Sequence, residues 1–110
     1  MPLQTAVDAL ADRLRSLPQS ALDRGAAAEG LALAGELALR AQRIETPQRA
    51  PHAMPDAGMF AAGDQLAVAG HDLVEALRGA AADPAPDAKA APADELAEAV
   101  RLVKEAAGRC

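Results

Sequence analysis

Apolar residues recur along this chain at helical spacing. From 59 to 81 they fall at Met59, Gly63, Leu66, Gly70, Leu73, Leu77 and Ala81, in steps of three and four. Such steps place them on one face of an α-helix. Two of these seam positions are glycine, which costs about 1 kcal/mol relative to alanine inside a helix. Close approach of a neighbouring helix backbone accounts for that cost.

Three more segments show the same period. The first, about 4–17, carries Leu3, Val7, Leu10, Leu14 and Leu17 on one face, with Asp8, Asp12, Arg13 and Arg15 off it. Thr5 and Asp8 resemble a capping box, and Pro18 ends the segment. The second, about 21–45, has Ser20 and Asp23 as a similar pair and a seam of Leu22, Ala26, Gly30, Leu33, Leu37, Ala41 and Ile44. Leu31 and Leu39 widen its apolar arc, which suits a central helix. Gly25 and Gly30 mark where its first two turns can break. The third, about 57–79, is expected to be capped by Asp56 and to end at Arg78 and Gly79. The fourth, about 93–107, opens with Asp94 and Glu95 and presents Leu96, Val100, Val103 and Ala107.

Residues 46–55, TPQRAPHAMP, read as a Pro-rich loop. Residues 80–92, AAADPAPDAKAAP, read as a low-complexity Ala/Pro linker. The whole predicts a single all-α domain over 1–110, a small up-down four-helix bundle. The few residues between Leu17 and Ser20 favour a hairpin of the first two helices, with paired hairpins packing together. The glycines of the third helix are expected to face small residues of the second, such as Ala26, Gly30 and Ala41.

Composition adds a constraint. The 110 residues include 31 Ala and only 24 large apolar side chains (14 Leu, 5 Val, 1 Ile, 3 Met, 1 Phe). That thin core makes a lone chain marginal and favours a homo-oligomer or another protein partner. The nine Arg against two Lys, with Ala, Gly and Pro bias, are typical of a GC-rich bacterial genome. A net charge of −5 argues against non-specific binding to nucleic acid or an anionic membrane. Phe60 is the sole aromatic and no helix has a basic stripe, so a nucleic-acid stacking platform is missing. Arg40, Arg43 and Arg49 gather near the end of the second segment, where cations offset the helix dipole. There is no long apolar run and no basic-then-apolar leader, so the expected location is cytoplasmic.

Candidate chemistry is sparse. His71 and Glu75 share a helix face in an HDxxE string, and Asp64 lies one heptad earlier. A metal site needs further ligands, and the other histidine, His52, sits in the Pro-rich loop. Histidine phosphotransfer domains are four-helix bundles of this size, with a local pattern His-x-Leu-Lys-Gly. Here His71-Asp72-Leu73-Val74-Glu75 keeps the leucine and lacks the lysine and glycine, and the flanking acids would repel a phosphoryl group. The hydroxyls are Thr5, Ser16, Ser20 and Thr46, better explained as caps and turn residues than as nucleophiles. Cys110 has no neighbouring histidine in sequence. Glu95 and Glu98 lack the Glu-x-x-His partner of a di-metal bundle. Met54, Met59 and Phe60 cluster at the entrance to the third helix, as a core plug or as an adaptable docking surface. No family pattern is matched by enough residues to name. The expectation is a non-enzymatic helical protein acting through protein–protein packing, without catalytic, cofactor-binding or metal residues. A His71-centred phosphotransfer or metal-binding bundle is the alternative. An apolar ligand in space left by the glycine seam is a third option.

Overall fold

Proline opens both the first and the last helix, where its fixed φ is already helical and its missing N–H goes unneeded. In the computed structural model, which describes residues 1–84 and 90–110, the helices are α1 (Pro2–Ser16), α2 (Ala27–Glu45), α3 (Ala62–Ala82) and α4 (Pro92–Arg109). No strand occurs among the described residues. The fold is the small all-α four-helix bundle that the periodicity predicts.

The helix ends differ from expectation for local reasons. Thr5 and Asp8 form no capping box: Thr5 Oγ1 donates to Met1 O at 3.2 Å, and Asp8 reaches across to α3. Ser20 and Asp23 do not cap α2 either. A short helical turn, Gln19–Ala21, starts after Pro18 with no side-chain cap. The chain then opens into a wide turn over Leu22–Ala26, where Gly25 takes φ 139° and ψ −15°. Only glycine adopts such a φ without strain, so α2 proper begins at Ala27. Asp56 caps no long helix. Its Oδ1 accepts the Gly58 N–H at 3.0 Å in a turn that leads into a tight 3₁₀ turn, Met59–Ala61. α3 passes through Gly79 and ends at Ala82. The expected 80–92 linker is thereby trimmed at both ends, and its 85–89 portion lies outside the described residues.

The course of the chain follows from cross-helix contacts. Val7 of α1 lies against Gly70 of α3, and Ala11 and Arg15 lie against Gly63, so α1 and α3 are antiparallel. Gly30 of α2 stands beside Ala62 of α3, and the turns preceding the two helices touch. α2 and α3 therefore run parallel. Arg109 reaches Glu29 and Arg40 reaches Glu95, so α4 is antiparallel to α2. Parallel α2 and α3 need a connection that runs back along the bundle, and residues 46–58 supply it as a strap over α2. The expected hairpin pairing is not formed: α1 and α2 barely touch, and both pack on α3.

α3 is thus the central helix, in place of α2. Its Leu66, Ala69, Leu73, Val74, Ala76 and Leu77 are all buried. The α2 residues Leu31 and Leu39, which widen its arc, are half-buried and turn toward the strap. On α4 the buried line is Ala99, Val103 and Ala106, with Leu96, Val100 and Ala107 on its border.

The glycine seam is filled by α1, not by the small residues of α2. A carbon added to Gly70 would stand 2.4 Å from Val7 Cγ1, and one added to Gly63 would stand 2.8 Å from Ala11 O. At Gly63 it is the α1 backbone that comes close, as expected, whereas at Gly70 it is the Val7 side chain of α1. Gly30 plays the same part toward Leu14, whose Cδ1 would be 2.7 Å from an added carbon.

Candidate functional site

No polar or charged side chain among the described residues is buried.

His71 lies on the exposed rim between α1 and α3. Its Nε2 is 2.8 Å from Asp8 Oδ1, a contact made by the antiparallel register of the two helices. The residues that the sequence spacing associates with His71 are engaged elsewhere. Asp64 accepts from Arg15 Nε at 2.8 Å, and Glu75 accepts from Arg78 Nη1 at 2.9 Å. His52 is on the strap, tied to α2 through its backbone. No group of three or more His, Cys, Asp or Glu side chains placed to hold a metal ion occurs among the described residues. Asp8 also sets negative charge beside the ring, where it would repel a phosphoryl group.

The other candidates are drawn into structural contacts. Thr5, Ser16 and Thr46 each donate to a carbonyl one turn back in their own helix. Glu95 meets Arg40 of α2 at 3.7 Å. Glu98 pairs with Arg101, whose hydrogen bonds hold the Glu98 carboxyl below the usual carboxylate range. Arg101 also donates to Glu105 at 2.5 Å. The Arg40, Arg43 and Arg49 group does not act as one patch, because Arg40 is committed to Glu36 and Glu95. Cys110 sits half-buried beside Ala26 and Glu29. Burial, then the Glu29 charge, pushes its thiol up, so little thiolate forms at neutral pH.

Three surface features remain. Met54 and Met59 pack on the core, whereas Phe60 is 70% exposed at the rim of α3. Val68, two turns further along the same ridge, is 58% exposed. Asp64 stands between them, clasped by Arg15. The second feature is an open groove of about 590 Å³ under the strap, floored by Leu31, Gly35 and Leu39 and walled by Met54 and Pro55. The space lies there and not along the glycine seam, which α1 fills. The third is a smaller hollow beside Gly25, Arg24 and Cys110.

Neither a protein-family profile, nor a curated protein, nor a solved structure matches this chain.

Proposed function

We propose that this protein is a non-enzymatic helical module that works by packing against another chain, with Phe60 as its anchor. The carrying observation is the exposure of Phe60, the one aromatic side chain, on a helical turn fixed to the central helix. An exposed aromatic on a rigid mount costs little ordering entropy when it enters a partner's pocket, and such residues dominate binding energy at interfaces. Val68 extends the apolar ridge, and the Arg15–Asp64 pair between them offers polar groups for a rim. The absence of buried titratable groups among the described residues supports this reading over a catalytic one.

The test is benzoylphenylalanine in place of Phe60 in the full chain, irradiated alone and in lysate. Discrete adducts are expected at position 60 and not at the exposed control position Lys104. Sedimentation or native mass spectrometry should show weaker association for Phe60→Ser. Equal behaviour of both proteins, with no position-specific adduct, would overturn the assignment.

A further inference from the structure

The bundle is divided in an unusual way by its strap. Residues 1–45 form α1 and α2 with their connecting turns, and residues 59–110 contain α3 and α4. Within each half the helices touch only lightly: α1 scarcely meets α2, and the heavy packing runs from α3 onto α1 and α2. The polar contacts follow the same division. Arg15–Asp64, Asp8–His71, Arg40–Glu95, Glu29–Arg109 and the Arg13 bond to Cys110 O all cross from one half to the other. Among the described residues, no side-chain hydrogen bond or ion pair links α1 to α2 or α3 to α4. Neither half has a core of its own; each is the other's core.

The strap that joins them is lightly held. Between residues 50 and 57 it makes no backbone–backbone hydrogen bond to any of the described residues. Gln42 clips it to α2 through both amide atoms: Oε1 accepts the His52 N–H at 2.6 Å and Nε2 donates to His52 O at 3.0 Å. Gln65 clips it to α3 by donating to Pro55 O at 2.7 Å. Pro47, Pro51 and Pro55 keep it out of either helix.

From this division we infer that two copies of the chain exchange halves, α3–α4 of each docking on α1–α2 of the other, with residues 46–58 as the hinge. The exchanged dimer regenerates every helix-to-helix contact named above between identical partners, whereas the strap clips from Gln42 and Gln65 belong to the monomer; only the strap and the entropy of pairing therefore differ. The partner is therefore a second copy of this chain. The exchange needs no exposed apolar face, and it does not rest on the Phe60 reading.

The experiment uses the full chain with Cys110→Ser, Asp8→Cys and His71→Cys. These positions face each other across α1 and α3, His71 exposed and Asp8 half-buried. The protein is refolded from guanidinium at high concentration, separated by size, bridged with a short bismaleimide and run under denaturing conditions. The expected dimeric fraction gives a covalent dimer and the monomeric fraction a monomer. Glu29→Cys with Arg109→Cys, across α2 and α4, repeats the test should the first pair perturb folding. Gln42→Ala removes two strap bonds from each monomer and should raise the dimer-to-monomer ratio by at least roughly five-fold, the equivalent of a single lost net hydrogen bond. Lys104→Ser, on the exposed face of α4, should leave the exchange unchanged. A dimeric fraction that bridges only within its own chains would overturn the exchange while leaving association through Phe60 standing. Absence of any dimeric fraction would also overturn it.

Discussion

Gly70 has room for a hydrogen and nothing larger. An added carbon would stand 3.0 Å or closer to three atoms of Val7, which is fully buried and, being β-branched, cannot swing aside. Gly70→Ala should therefore lower stability by about 1–3 kcal/mol through overpacking. In a Val7→Ala background the same change should cost much less, because its obstacle is gone. Gly79 is the control. It is helical with no atom near its added carbon, so Gly79→Ala should raise stability by about 0.5–1 kcal/mol. Thermal unfolding of the four variants checks both. An equal loss at Gly70 with or without Val7 would place the tight contact elsewhere. The chain shows that Gly63 and Gly70 need close neighbours, since glycine is otherwise expensive in a helix. Which neighbour comes close is a matter of shape, and no periodicity encodes it.

Helix ends were the least legible elements. Thr5 with Asp8, and Ser20 with Asp23, have the spacing of caps, yet Pro2 and Pro18 start the helices earlier, and those helices open with no side-chain cap. Gly25 was readable as a weak point because its residue type alone permits φ 139°. On α4, the exposed face carries the Glu98–Arg101–Glu105 array. Bonding to Arg101 depresses the Glu98 carboxyl, so the folded state binds its proton less readily than the unfolded chain does. Its contribution to stability is present above the ordinary carboxylate value of about 4.3 and is lost as pH falls through the lower folded value. Carbon-detected NMR titration should place Glu98 below that ordinary value, and Arg101→Met should return it there. An ordinary titration in both proteins would contradict the pairing.

Across the whole molecule, stability is shared because the core belongs to no single half. Leu37 is fully buried within the cluster that joins all four helices. Leu37→Ala should cost about 2–5 kcal/mol. Amide exchange should show α1 and α4 losing protection together with α2, although neither carries the substitution. Selective loss in α2 alone would argue for independent packing units. The candidate site was partly legible at this scale. Phe60 stood out as the lone aromatic beside two methionines, but burial separated them: Met54 and Met59 went to the core and Phe60 to solvent. His71 was visible as a residue type, and its partner was not, since Asp8 lies 63 positions away in sequence and meets it only through the α1–α3 register.

By itself the sequence determined the class of fold, the number of helices, their apolar faces and the Pro-rich loop at 46–55. Those properties depend on local backbone preference and on the partition of side chains between water and interior, which act within a turn or two. Only the tertiary structure decided that α3 is central, that α2 and α3 run parallel, and that the strap lies back over α2. Those outcomes depend on which small residue admits which bulky one, as Gly70 admits Val7, and that complementarity exists only between segments far apart in the chain.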